Sequence, residues 1–194
     1  MDAADNPPPS NVARNATATA SSSNSVDEQT PDKAIDGVLE GYPQNQFGEW
    51  ASQSEGLDAW LQLAWNTPQV VNRVTLYDRP NSDDQVLAGT LSFSDNSSIS
   101  VGTLDNLGAG TEIDFSARQI TWLRFTVTEV SPTTHNIGLE EIQVWNVPGG
   151  LEPSCESGQS ALLPNARLGL LRHASQARFR LACIRASRVT GPSP

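Results

Sequence analysis

Polar and apolar residues alternate along most of the first 150 positions, and the alternation comes in short runs. Residues 12–22 (VARNATATASS) mix small and polar residues with no helical period. Residues 59–65 (AWLQLAW) form a short apolar run rich in aromatics. Residues 70–78 (VVNRVTLYD) are rich in β-branched side chains and alternate, which sets Val70, Val74 and Leu76 on one face. Residues 89–95 (GTLSFSD) alternate strictly, Leu91 and Phe93 against Thr90, Ser92 and Ser94. Residues 98–104, 111–117, 120–130 and 138–146 continue the pattern. The result is about eight strands at intervals of ten to fifteen residues, separated by Asn, Asp, Gly, Ser and Pro. That spacing predicts an all-β protein, an antiparallel jelly-roll β-sandwich. No segment repeats apolar residues at i, i+3, i+4 and i+7 strongly enough for a long helix. Asp95-Asn96-Ser97-Ser98 fits a hairpin turn between two of the strands.

Charge divides the 194 residues. Residues 1–150 carry 6 Lys/Arg against 20 Asp/Glu, a formal −14, while residues 151–194 carry six arginines against Glu152 and Glu156, a formal +4. All five tryptophans and both tyrosines lie in the acidic part, so the aromatic mass of a core ends near Trp145. The expected organisation is a Pro-rich linker remnant at 1–10 (ending NPPPS), one domain at 11–147 and a basic tail at 148–194. Both termini are expected to be flexible. Residues 161–189 of the tail read either as a segment without fixed structure or as a weak basic amphipathic helix of the kind that suits a membrane surface. An acidic body argues against nucleic acid and against an anionic membrane as partners. Both cysteines, Cys155 and Cys183, fall in the tail, so the body needs no disulfide. No run of 18 apolar residues marks a spanning helix, and the first ten residues do not read as a secretory signal. Two glycosylation sequons, at Asn15 and Asn96, point weakly the other way.

Residues 31–37 (PDKAIDG) place Asp36 between an isoleucine and a glycine. A turn explains this, and so does a metal-binding loop. The Ser/Thr-rich first strand, then KAIDG, then a loop closed by Trp50 (GEWAS, 48–52), then a last strand reading GLEEIQVW occur in an order that resembles the coagulation-factor type C (discoidin) domains and the related family 32 carbohydrate-binding modules. Those share the galactose-binding-like jelly roll, and the resemblance covers residues 11–147. The stretches EWAS, LYDRPN and GTLSFSD look most like the C-terminal domain of fungal proteins whose catalytic part is N-acetylglucosaminyl-phosphatidylinositol deacetylase-like. Such proteins act outside the cell or in the secretory pathway.

The resemblance implies two sites. In many relatives the KAIDG loop holds structural Ca2+. Transferred here, Asp36 would supply a side-chain oxygen, Lys33 or a neighbour a carbonyl, Glu140 its carbonyl and Glu141 its carboxylate, a mixture suited to a hard cation. Relatives often carry a second acid after the glycine, where this chain has Val38. The other site is a glycan site on loops at one end of the sandwich, where sugars need an aromatic face and planar polar groups. Residues 77–85 (YDRPNSDDQ) concentrate such groups: Asp78, Arg79, Asn81, Asp84 and Gln85. Glu49 and Trp50, and His135 and Asn136, lie on loops expected to converge with them. Two readings stay open for several: Trp50 as core plug or stacking platform, Arg79 as ligand fork or as structural ion pair with Asp78, His135 as contact or merely exposed. Tyr42, in EGYPQNQF, is the better exposed aromatic, and Trp60, Trp65, Trp122 and Trp145 read as core or strand-surface residues.

Catalysis is not expected. No nucleophile elbow, phosphate loop, His pair or cysteine cluster is present, nor the His-Pro-Asp-Asp type motif of the deacetylase-like domains. Three functions remain: a carbohydrate-binding module that anchors a partner domain, an adhesion module binding protein or phospholipid through Leu39, Tyr42 and Phe47, and a structural appendage of a deacetylase-like enzyme.

Overall fold

Two long strands organise the fold. In the computed structural model, which describes residues 7–150, β3 (Trp60–Tyr77) and β6 (Thr111–Val130) pair antiparallel along most of their length. Both bend in the middle: pairing runs from Trp60 to Ala64, skips residues 65–68 and resumes at Gln69. Asn66, Thr67 and Pro68 are exposed at this corner, where Pro68 cannot donate to a ladder.

Each half serves a different layer. The first half of β3 and the second half of β6 sit between β1 (Thr17–Ala20) on one side and β4 (Val86–Phe93) and β5 (Ser98–Val101) on the other. The second half of β3 pairs with the first half of β6 and with β8 (Glu141–Asn146). Two short strands, β2 (Trp50–Ala51) and β7 (Gly138–Leu139), pair separately. The described residues therefore form an antiparallel β-sandwich, with only short 3-10 turns besides strands. One cluster of buried residues fills it, with Leu61, Leu63, Leu91, Phe93, Leu123 and Phe125 from one layer and Val71, Val74, Leu76, Ile142 and Val144 from the other.

The pattern of alternation located the strands but divided them differently. Residues 59–65 and 70–78 join as β3, and 111–117 and 120–130 join as β6. The last strand instead breaks at Glu140 into β7 and β8. The first is shorter than expected, because residues 13–15 form a 3-10 turn. Val71, not Val70, faces the core: a bulge at Asn72 inserts one residue and shifts the phase before Val74 and Leu76. The Asp95–Ser98 hairpin forms as expected, with Asn96 at φ +66°. Residues 151–194 of the basic tail, with both cysteines, and residues 1–6 lie outside the described residues.

Candidate functional site

Three loops meet at one end of the sandwich. They are residues 37–49 before β2, 78–85 after β3 and 131–137 before β7. The β2–β7 ladder draws them together, because Trp50 pairs with Leu139 and Ala51 with Gly138. Only glycine fits at 138: a Cβ there would sit 1.9 Å from the Trp50 carbonyl and 2.6 Å from the Arg79 side chain. This close approach lets Arg79 lie across the ladder and reach Glu49.

The Arg79–Glu49 pair is the centre of the site. Nε of Arg79 donates to Oε1 of Glu49 at 2.7 Å, and the two residues are 5% and 0% exposed. Nη1 of Arg79 donates to Oδ1 of Asn136 at 2.7 Å. Glu49 also accepts from Nε2 of Gln29 at 3.0 Å and from the Tyr42 amide at 2.7 Å. Burial still pushes the Glu49 carboxyl up, against the pull of Arg79. Asp84 ties two loops: it accepts from the His135 and Asn136 amides at 2.6 and 3.4 Å and from Nδ2 of Asn81 at 2.8 Å. Asp78 accepts the Arg79 and Val86 amides at 3.0 and 3.2 Å, and its burial pushes the carboxyl up to about 7.

The expected convergence is therefore present, but half of the expected ligand groups are framework. Arg79 pairs with Glu49 and not with Asp78, whose carboxylate binds main-chain amides instead. Trp50 is fully buried and donates Nε1 to the Ser22 carbonyl at 3.0 Å, so it is a core plug and not a platform. Glu49, Asp78, Arg79 and Asp84 are buried, with their polar atoms directed at one another or at loop amides. The outer rim is formed by Gln85 and Asn136, half-buried, by His135, exposed, and by Tyr42, 39% exposed.

Outside the rim runs a groove of about 700 Å³ lined by Pro80, Ser82, Gln85, Leu104, Asp105, Asn106 and Leu107. A smaller depression of about 290 Å³ lies across Pro80, bounded by Leu39, Glu40, Gly41, Gln44, Gly108 and Glu140. The 104–108 wall was missed by the sequence reading. Its signal was Asp105-Asn106 with Gly108, an Asx-turn pattern. Oδ1 of Asp105 accepts the Leu107 and Ala109 amides, both at 2.9 Å, and Asn106 bonds the main chain of Asn81 in both directions. Gln29, buried beside Glu49, was missed as well.

The candidate cation site sits beside this end. Residues Pro31–Ile35 form a 3-10 turn that ends at Asp36, and Gly37 follows at φ +82°, which favours glycine. Asp36 accepts the Val38 amide at 2.8 Å, so part of its role is that of a turn former. Oε2 of Glu141 accepts the Gly37 amide at 3.2 Å, while its Oε1 is buried without a partner. Burial pushes Glu141 up to about 8, with nearby Asp36 adding to the rise and Arg14 opposing it. Glu140 stands outside the strands and turns to the same loop as Glu141, its carboxylate accepting the Gly41 amide at 2.8 Å. Lys33 is half-buried. Among the described residues no three acidic, His or Cys side chains form a ready metal cluster. An orphaned carboxylate oxygen beside a second carboxylate nevertheless fits a cation, completed by carbonyls and water.

The sandwich has the same fold as several carbohydrate-binding and lectin domains of known structure. A carbohydrate-binding module of a Clostridium perfringens protein (CpGH89CBM32-5, solved with GalNAc-β-1,3-galactose) superposes with a TM-score of 0.56 at 20% identity, over 70% of this chain and 99% of that one. The family 32 module of C. perfringens NanJ, solved with galactose, gives 0.55 at 16% identity over 72% and 100%. A fucolectin from striped bass (Morone saxatilis) serum gives 0.59 at 16% identity over 71% and 48%. No curated protein sequence matches the chain. Residues 11–145 match the family described as Domain of unknown function (DUF7402), and the chain belongs to that family.

Proposed function

We propose that the domain is a non-catalytic glycan-binding module whose ligand sits on the loop end around Pro80. The observation that carries this reading is the rigid network under that end. Arg79, Glu49, Asp84 and Asn136 lock three loops from below, so the outward groups are held in place before a ligand arrives. Those groups are Gln85, Asn136, His135 and Tyr42, with Ser82 and Asn106 in the groove. They are amide, hydroxyl, imidazole and phenol groups, which match sugar hydroxyls and a sugar face. Glycans in complex with two of the similar domains support the same class of ligand.

Asp36, the Glu141 carboxylate and the carbonyls of Glu140 and Lys33 would hold Ca2+, which would add charge compensation for Glu141 and fix the 36–42 loop. The resemblance to deacetylase-like fungal proteins supports an anchoring role for a catalytic partner domain in the secretory pathway or outside the cell.

The test is thermal unfolding of the full chain against a panel of mono- and oligosaccharides. A ligand that binds only the folded state raises the midpoint by mass action. A rise with one sugar class, lost in His135→Ala and Gln85→Ala, is expected. A flat panel in a folded sample overturns the reading. One observation favours a second reading, protein adhesion: Leu39, Tyr42 and Phe47 are all exposed on one loop. That reading predicts no sugar response, together with capture of a protein ligand that Phe47→Ser weakens.

A further inference from the structure

The outward face of the larger layer has a composition unlike the rest of the domain. On β3, Trp60, Gln62 and Ala64 point away from the core; opposite them on β6 stand Thr126, Arg124 and Trp122. The rung through the middle reads Thr19, Gln62, Arg124, Ser92 and Ser98 across five strands. The rungs on either side continue with threonine, serine and alanine. None of the outward positions on these rungs is acidic, although residues 1–150 carry a formal −14.

Within this face the polar groups are pre-set. Arg124 sits over Trp60, its Cζ 4.1 Å from the ring centroid. Nε and Nη2 of the same guanidinium donate to Oε1 of Gln62 at 3.1 and 2.8 Å. The indoles of Trp60 and Trp122 remain partly exposed. They are four residues apart along the strands and one strand across, on the order of 14 Å by strand geometry. A guanidinium fixed over one indole by Gln62, with the second indole uncovered by it among hydroxyls, offers an aromatic face to C–H surfaces and donors and acceptors to hydroxyls.

We propose that this face is a second binding surface, for an extended neutral polysaccharide. Charge decides the occupant. A single cation among neutral groups is too little for a polyanion such as nucleic acid. The absence of carboxylates removes any match to a polycation. A neutral chain rich in hydroxyls meets neither penalty. The distance between the indoles calls for several sugar units, so a flat or insoluble glycan suits this surface better than a single ring. This surface is separate from the loop end and does not depend on the loop-end site.

Depletion of the full chain from solution by microcrystalline cellulose, crystalline chitin and insoluble β-1,3-glucan tests the proposal. The expected result is saturable depletion by at least one solid, weakened about tenfold in Trp122→Ala, the loss of one aromatic contact. Trp60→Ala carries a risk to packing, so Thr126→Asp and Ser92→Asp provide a second readout. Each puts a carboxylate on the face and is expected to weaken depletion with an unchanged melting temperature. No depletion by any of the three solids, or equal depletion of the parent and the face variants, overturns the proposal.

Discussion

Replacing Arg79 by alanine removes the cation from a pair in which Glu49 is fully buried. The carboxylate then has no counter-charge, and Asn136 loses the donor to its Oδ1. Breaking a buried pair from one side costs about 3–5 kcal/mol. For a domain of this size each kcal/mol shifts the midpoint by about 2–4 °C, so a fall of roughly 10–15 °C is expected. Thermal unfolding followed by circular dichroism measures it. Glu49→Gln is expected to cost about as much, because it leaves Arg79 a buried cation without a partner and puts one acceptor oxygen where two serve Gln29 and Tyr42. The double variant Arg79→Met with Glu49→Gln is expected to recover much of the loss, because neither partner is left as an unpaired charge. A fall of less than about 3 °C for Arg79→Ala, or additive effects in the double variant, would refute the buried-pair argument.

Three further outcomes follow from the same geometry. Asp78, at about 7 against an ordinary 3.8, binds its proton more tightly folded than unfolded. The stability this contributes is present at low pH and is lost as pH rises through about 7, so the melting temperature should fall between pH 5 and 8. Glu141, at about 8, acts in the same direction, and Asp78→Asn should flatten the slope; a midpoint that rises with pH would contradict this. At pH 8, Ca2+ should raise the midpoint and chelator reverse it, an effect abolished by Glu141→Gln; indifference to both would leave Asp36 as a turn former only. Gly138→Ala should cost about 3 kcal/mol or more in denaturant unfolding, since its Cβ meets backbone and the β2–β7 ladder has to part. A stability within 1 kcal/mol of the parent, on the order of ordinary surface changes, would rule out that packing.

Much of the fold was legible because alternation with period two survives wherever one strand face is buried. What was not legible lay where that rule is interrupted. The Asn66–Thr67–Pro68 corner has the composition of a loop, yet the strand continues through it. The extra residue at Asn72 reverses the phase of Val70 and Val71 without any Gly or Pro to announce it. In the site, residue types marked the right loops, and Glu49, Arg79, Asp84 and Asn136 do meet. Their depth was not readable. It depends on a two-residue ladder between segments nearly ninety positions apart, Trp50 with Leu139, which no local pattern encodes. Glu140 and Glu141 are neighbours in sequence, which in an unbroken strand would face opposite ways; the break between β7 and β8 sends both to one loop.

The most direct test of the loop-end site is an amide NMR titration of the full chain with the sugar that responds in the panel. Saturable shifts are expected at Tyr42 and at residues 80–85, 104–108 and 133–136, with the buried Arg79–Glu49 framework unmoved. Shifts centred away from these loops, or none at saturating sugar, would contradict the loop-end site.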